Sequence, residues 1–425
     1  MIFSLYRLAT NIAAPIISRY LKKRLEKGKE HPTRFSERLG IAGLPRPAGK
    51  LIWLHGASVG EAISLLTLIN KLKTDYPHFN ILVTTGTVTS AELLANRLPE
   101  GVIHQFVPVD RLPYVRKFLD HWKPDIAFWA ESELWPNLLH ESHKRGIHLA
   151  LINARMSEKS LKSWMRFKGF IAGLLNTFDI CLAQTEKDGG HYRQLGAKNV
   201  QCVGNLKYAS PALPYDTAEL DRLTSLLKDR ALWLAASTHP GEETLLARVH
   251  NAVKKTKPNL LTIIAPRHPH RGDDIRAELE DLGLSIAQRS NGDQPCEQTD
   301  IYLCDTMGEM GLLYRLSDLV FMGKSMEPLG GQNPLEPARL DCAVLCGPYM
   351  TNFTEIMDRF QKNDAITVVA DEVELAKKIT HLLNNQTQTT ELAKKAKDVA
   401  LAEAAVLDRI MDKLNTQFQL DEKGA

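Results

Sequence analysis

Three clusters in this 425-residue chain combine acids, cations and glycines at spacings that could do chemistry. The first is His55-Gly56-Ala57-Ser58-Val59-Gly60-Glu61, an apolar run that ends in a small-residue turn and opens a helical pattern. Glycines there admit close backbone approach, and a helix N-terminus favours the ionised form of Glu61. A carboxylate so placed suits a general base for an acceptor hydroxyl. A first-turn glutamate can equally complete a helix cap. The second cluster, Glu131-Ser132-Glu133-Leu134-Trp135-Pro136-Asn137, sets two acids at i, i+2 directly after the apolar run Ile126–Trp129. They could orient acceptor hydroxyls or a nearby arginine, or Glu131 or Ser132 could cap the next helix.

The third cluster is spread over four segments: Ser237-Thr238-His239; Pro266-Arg267-His268-Pro269; Asp305-Thr306-Met307-Gly308-Glu309; and Gly330-Gly331-Gln332-Asn333-Pro334-Leu335-Glu336-Pro337. Arg267 at a strand end suits a phosphate, because a guanidinium can bind two oxygens. The glycine pair followed by Asn333 and Glu336 suits a helix-start nucleotide pocket. Backbone donors and the helix dipole would face phosphate, and Glu336 would accept from ribose hydroxyls. Together these segments point to a nucleotide-sugar site.

The elements that must position these residues alternate between short apolar runs and amphipathic stretches. Strands are predicted at Leu51–Leu54, Ile81–Thr84, Ile126–Trp129, His148–Asn153 and Ile180–Ala183. In the second half they are predicted at Leu232–Ala235, Leu260–Ala265, Leu319–Met322, Ala343–Cys346 and Ala365–Val369. Such alternation builds parallel, doubly wound sheets whose ligands sit at the carboxyl ends of the strands. Leu51–Glu61 and Ala231–Glu242 each read as strand, small-residue turn, Gly-Glu, helix, so the chain is expected to hold two similar Rossmann-type units. Ser210-Pro211-Ala212-Leu213-Pro214 would link them. Two such units facing across a cleft make the GT-B architecture of glycosyltransferases, an outline that some epimerases share.

Composition narrows the function classes. The 53 Lys and Arg residues nearly balance 50 Asp and Glu, a net charge of +3, so no global field calls for nucleic acid. The six cysteines are scattered with no C-x-x-C pair, which fits reduced thiols rather than a disulfide framework or a zinc site. Gly56 and Gly60 do not make G-x-G-x-x-G, which disfavours nicotinamide or flavin binding. Asp318 stands where a P-loop leading to Gly323-Lys324-Ser325 needs its first glycine. His268-Pro269-His270 reads as a loop rather than a ligand pair, and no metal is expected.

The opening segment through Leu21 is apolar but interrupted by Arg7, Asn11, Pro15 and Arg19, and a run of Lys22, Lys23, Arg24, Lys27 and Lys29 follows. Arg7 held at a bilayer centre would cost about 2.5–3.5 kcal/mol. An interfacial helix avoids that cost and sets the basic run against anionic headgroups at about 1 kcal/mol per cation. The expected reading is a membrane-associated helix with the rest of the chain cytoplasmic; the alternative is an ordinary packed terminal helix. Lys159 to Phe170 likewise interleaves Lys162, Arg166 and Lys168 with Trp164 and Phe167. It reads as a partly membrane-facing helix beside an acceptor groove, or else as an amphipathic helix with Trp164 and Phe167 in the core.

His55–Glu61, Glu131–Asn137, Asn153-Ala154-Arg155-Met156, Val203-Gly204-Asn205-Leu206-Lys207, Ala265–His268 and Asn333–Pro337 occur in one order along the chain. Together they closely resemble the 3-deoxy-D-manno-octulosonic acid (Kdo) transferases of lipopolysaccharide synthesis. One departure is Gln332, where the family's Gly-Gly-His-Asn-Pro pattern has histidine. The resemblance implies an α/β fold of GT-B architecture. Its parts would be a membrane helix and basic flank (residues 1–30), an acceptor domain (31–210) and a CMP-Kdo-binding domain (211–425) whose last helix can pack back on the first. It implies an inverting transfer of Kdo from CMP-Kdo to the acylated, phosphorylated glucosamine disaccharide precursor of lipid A, at the cytoplasmic face of the bacterial inner membrane. Glu61 would be the base, with Glu131 in support. Arg267, His268, Thr306, Met307, Gly308, Glu309, Asn333 and Glu336 would hold CMP-Kdo. Ser58, Gly60 and Arg155 would join Lys162, Arg166 and Lys168 on the acceptor side. No cofactor or metal is implied, and activity is expected to survive EDTA.

Overall fold

A computed structural model describes residues 2–209 and 213–421; Ser210, Pro211 and Ala212 of the expected linker lie outside the described residues. The chain divides into two compact units, one of residues up to 209 with 403–421, the other of residues 213–402.

The first unit holds a parallel sheet of seven strands: β1 (Leu51–His55), β2 (Asn80–Thr85), β3 (Val102–Phe106), β4 (Ile126–Ala130), β5 (His148–Ala154), β6 (Ile180–Ala183) and β7 (Val200–Cys202). Their order is β3-β2-β1-β4-β5-β6-β7, so the direction of winding reverses between β1 and β4. β1 and β4 are buried along their whole length, as expected of strands covered on both faces. Ile52 and Leu54 enter the core on one face, and Leu51 and Trp53 the core on the other. The first of these cores is completed from far along the chain. Val406, Ile410 and Leu414 line one stripe of the helix Val406–Phe418 and pack with the helix Val59–Asp75. Gly204 makes room for that helix, because a Cβ there would meet Val406 at 2.8 Å. The second unit therefore ends at 402, and the last described helix belongs to the first unit.

The second unit repeats the plan with β8 (Ala231–Thr238), β9 (Leu260–Pro266), β10 (Ile286–Gln288), β11 (Ile301–Leu303), β12 (Leu319–Met322), β13 (Ala343–Cys346) and β14 (Thr367–Val368). The order β10-β11-β9-β8-β12-β13-β14 puts its reversal between β8 and β12. Trp53 pairs in register with Leu82 and Trp233 with Thr262, the same distance downstream in each unit. The predicted strand Ala365–Val369 shrinks to Thr367–Val368, whereas β8 runs on to include Ser237 and Thr238.

The opening segment forms two helices, Ile2–Ile12 and Ala14–Glu26, interrupted at Ala13 just before Pro15. The first is tied to its own unit. The Tyr6 hydroxyl donates to Asp110 Oδ2 at 2.8 Å and Arg7 pairs with the buried Glu141. Arg7 thus has a protein counter-ion, while Leu5, Leu8, Ile12, Ile16 and Tyr20 form an exposed stripe. Among the described residues no helix is long and apolar enough to cross a membrane.

Candidate active site

Parallel strands aim ligands at their carboxyl ends, beside the reversal of winding. In the first unit that position belongs to the ends of β1 and β4. Ser58 caps the helix Val59–Asp75, its Oγ accepting from the Glu61 N–H at 3.3 Å. The Glu61 carboxylate reaches back, accepting from the Ala57 N–H at 2.7 Å and from the Ser58 hydroxyl at 2.8 Å. Glu61 thus completes the cap, with one donor on each oxygen, and stands almost fully buried. Gly60 lies in the same first turn with open space at its Cβ position.

β4 breaks out of the sheet at Glu131, which takes φ 56°, a left-handed conformation that costs a non-glycine residue about 1–2 kcal/mol. Its N–H stays in the ladder, bonding Ile152 O at 3.0 Å. Its carboxylate pairs with Lys207 Nζ at 2.8 Å. Glu133 is half-buried, and its carboxyl is raised by that burial and then by the charges of Glu61 and Glu131, against an opposing hydrogen bond from Trp135. Glu133 thus feels both other carboxylates at this strand end. Next to them β5 bulges at Asn153 (φ 52°), whose Oδ1 accepts from the Leu206 N–H at 2.9 Å. That bond seats the segment carrying Lys207. Arg155 follows, exposed, its carbonyl held by the Tyr192 hydroxyl at 3.1 Å.

In the second unit a cavity of ≈ 600 Å³ opens at the ends of β8, β9 and β11, lined by Arg267, His268, Thr306, Met307, Gly308 and Glu336 among others. Arg267 leaves β9 with its N–H on Thr238 O at 3.0 Å and its side chain exposed. Glu336 is pushed up by burial; Asn333 Nδ2 donates to it at 3.3 Å and so orients it. The helix expected to direct its dipole here, Leu335–Ala338, is one turn of four residues, too short for a substantial macrodipole. The dipole argument therefore falls away, and Arg267 carries the positive charge. Met307 is 81% exposed at the lip. Glu309 departs from expectation. It does not line the cavity, because Arg289 grips its carboxylate (Nε to Oε2 at 2.6 Å), which also lowers its pKa. Gln332 Nε2 donates to His239 Nε2 at 3.2 Å, and the His239 ring lies 5.7 Å from that of His268.

Residues 33–210 match the family model described as 3-deoxy-D-manno-octulosonic-acid transferase (kdotransferase). The chain is 35% identical to the 3-deoxy-D-manno-octulosonic acid transferase of Rickettsia bellii over 380 residues, 89% of this chain and 90% of that one. It belongs to the Kdo transferase family. The Haemophilus influenzae member is 32% identical over 96% of this chain and 97% of its own length. In fold, a glycosyltransferase from Rickettsia africae is similar over 89% of this chain and all of its own, with TM-score 0.57 at 13% identity. The two seven-stranded parallel sheets are those of GT-B glycosyltransferases.

Several residues of this Kdo transferase family member that matter to the geometry escaped assignment from sequence. Lys207 stands in a motif, but its ion pair with Glu131 joins distant segments. Ser237, which the third cluster includes without a role, lines the cavity and takes φ 57° at a bulge in β8. Gly323 lets β12 end against that bulge, since a Cβ there would meet Ser237 O at 2.6 Å. Glu242 accepts from the N–H groups of His239 (2.9 Å), Lys324 (2.7 Å) and Ser325 (3.1 Å). The Gly323-Lys324-Ser325 turn is thus an amide nest already filled by a carboxylate.

The basic segment expected as one helix is two, Glu158–Met165 and Lys168–Leu175, with Arg166 and Phe167 at the break. Lys162, Arg166 and Lys168 are exposed. Trp164 packs partly against the core, whereas Phe167 is exposed, so the core alternative holds for the first aromatic only. A further cavity of ≈ 700 Å³, lined by Lys50, Asp125 and His148, lies at the amino ends of β1, β4 and β5 and contains none of the expected site residues.

Proposed function

We propose that the chain is an inverting Kdo transferase that moves Kdo from CMP-Kdo to the acylated, phosphorylated glucosamine disaccharide precursor of lipid A (lipid IVA). CMP is released and the product enters lipopolysaccharide core synthesis. The second-unit cavity carries this reading: an exposed arginine, a hydroxyl at Thr306 and a half-buried carboxyl at Glu336 open on one space. A guanidinium for phosphate and a carboxyl for ribose are what a CMP-sugar needs. In this role Arg267, His268, Thr306, Met307, Gly308, Asn333 and Glu336 form the donor site, with Glu309 holding Thr306 through their hydrogen bond.

Glu61 takes the proton of the acceptor hydroxyl as its oxygen bonds to the anomeric carbon from the face opposite phosphate. The carbon–oxygen bond to CMP breaks, its electron pair goes to the phosphate, and Arg267 stabilises the departing charge. Glu131 sits on the acceptor side. Ser58 holds the base, and Gly60, Arg155, Lys162, Arg166 and Lys168 face the acceptor. The exposed stripe from Leu5 to Tyr20, followed by Lys22, Lys23 and Lys27, supports a peripheral helix on the cytoplasmic face of the inner membrane.

The test is mass spectrometry of lipid products after incubation with CMP-Kdo and the tetra-acylated disaccharide, for wild type and Glu61→Ala. Kdo-sized mass steps in wild type alone are expected. A folded, CMP-binding wild type that makes no product would overturn the assignment, as would loss of activity in EDTA restored by a divalent ion.

A further inference from the structure

On the outer flank of the first unit a cavity of ≈ 670 Å³ lies between the helix Ile2–Ile12 and the helix Lys168–Leu175. Its size falls within the roughly 300–1,000 Å³ of small-ligand sites. One wall is fixed. The Phe3 ring lies 4.3 Å from that of His140, with the Arg7 guanidinium 4.4 Å from its centroid, and Arg7 is itself paired with Glu141. The opposite wall is Phe170 and Leu174, and between them Gly169 and Gly173, one turn apart, keep the channel open: a Cβ at either would meet nothing within 4 Å. At the mouth, Arg166 and Lys168 are exposed and have no carboxylate partner among the described residues. Burial and then Arg7 lower the His140 imidazole, which favours its neutral form.

An apolar channel with two unpaired cations at its mouth matches a hydrocarbon chain that ends near a phosphate. We propose that this cavity takes one acyl chain of the phosphorylated glycolipid acceptor, with Arg166 and Lys168 pairing a phosphate at its entrance. The inference rests on the transferase reading above. Acceptor rather than bulk lipid is favoured by connectivity. The helix Pro136–Lys144, which supplies His140, begins directly after Glu131–Trp135. The helix Glu158–Met165, which leads to Arg166, begins directly after Arg155 and Met156 at the end of β5. The elements that present the acceptor-side residues therefore also build the channel.

The experiment compares full-length wild type with Gly173→Leu, which fills the channel and replaces glycine by a better helix former. KM is measured for the tetra-acylated disaccharide bisphosphate, for its fully deacylated form and for CMP-Kdo. Blocking several methylenes is expected to raise the KM for the acylated acceptor at least about tenfold. The KM for CMP-Kdo should change no more than about twofold, and the preference for acylated over deacylated acceptor should disappear. An unchanged KM for the acylated acceptor, or an equal rise for both substrates, overturns the inference. So does Gly173→Leu releasing the protein from phosphatidylglycerol vesicles while leaving the glycolipid KM intact, because the occupant is then bilayer lipid. Gly169→Leu gives the same test from the other end of the channel if Gly173→Leu does not fold. If wild type transfers Kdo to neither acceptor, the functional reading has failed. Fluorescence titration of wild type and Gly173→Leu with the glycolipid then judges the channel on its own: equal affinity rejects it and weaker binding by the variant supports it.

Discussion

Leu51–Glu61 and Ala231–Glu242 open the two units with the same plan of strand, tryptophan, small-residue turn and Gly-Glu, but the carboxylates at their ends have different partners. Glu61 is satisfied within its own turn, by the Ala57 N–H and the Ser58 hydroxyl. Glu242 enters a helix whose N-cap is Gly241, with no side-chain cap, and reaches to Lys324 and Ser325, 82 and 83 residues along the chain. Its neighbour Glu243 is fully buried, taking the Thr238 hydroxyl at 2.8 Å and Arg271 at 2.9 Å. A shared opening is therefore a scaffold, and the donors that reach the acid decide its use. Two local donors leave lone pairs on Glu61 for a proton. Four amides from two segments, those of His239, Lys324, Ser325 and Met326, commit Glu242 to holding the loop that leads to Gly330 and Glu336.

The strongest way to break this contrast is to neutralise each acid. Glu61→Gln should lower kcat by about 10²–10⁴-fold, the usual weight of a general base, with Tm nearly unchanged because an amide oxygen still accepts from Ala57. Glu242→Gln should do the reverse. Its amide group would face backbone N–H donors at a cost of about 1–3 kcal/mol, lowering Tm and raising the KM for CMP-Kdo more than it lowers kcat. Exchanged phenotypes in kinetics and thermal melts would invert the comparison.

A smaller effect is expected at Lys207, which has no assigned counterpart in the second unit. Lys207→Met removes the positive charge from Glu131 and should lower kcat/KM for the acceptor about tenfold, within the 2–5 kcal/mol ceiling for breaking such pairs. An unchanged kcat/KM would mean that the ion pair with Glu131 does not serve the acceptor side.

The third contrast lies at the strand end itself. His55 follows Trp53 by two residues, where Ala235 follows Trp233. Burial pushes the His55 imidazole down to about 3. Below its unfolded pKa of about 6.5, the unfolded chain takes up a proton that the folded chain refuses, so stability falls as pH drops toward 3. His55→Gln should flatten that slope in urea titrations between pH 4 and 7; an unaltered slope would place the acid sensitivity elsewhere, for example at His104, likewise pushed down to about 3. Smallest of all, Gln332→His should leave the KM for CMP-Kdo within about twofold above pH 7.5 and lower it below pH 6.5, where an added imidazole beside His239 takes up positive charge and attracts the anionic donor.

The strands that carry the site were legible because they are buried on both faces and read as nearly continuous apolar runs, β4 throughout and β1 and β9 but for His55 and Thr262. β3 was missed because His104 and Gln105 interrupt it, and β7, β10 and β11 because three residues each are too few to show a period. Within the site, Glu61 and Arg267 stood out by type and place. Glu309 had the same credentials, but its carboxylate is occupied by Arg289, a residue that no spacing rule connects to it.

Sequence alone determined two alternating α/β units, the acids and cations that leave their strands, and the ordered motifs of a Kdo transferase, because all of these are local patterns. Tertiary structure alone decided which glutamate is tied up, that Lys207 meets Glu131, and that Val406, Ile410 and Leu414 are the side chains through which the last helix enters the first core. Those outcomes depend on which amides and charges come within about 3 Å, and strand order brings together groups the chain keeps far apart.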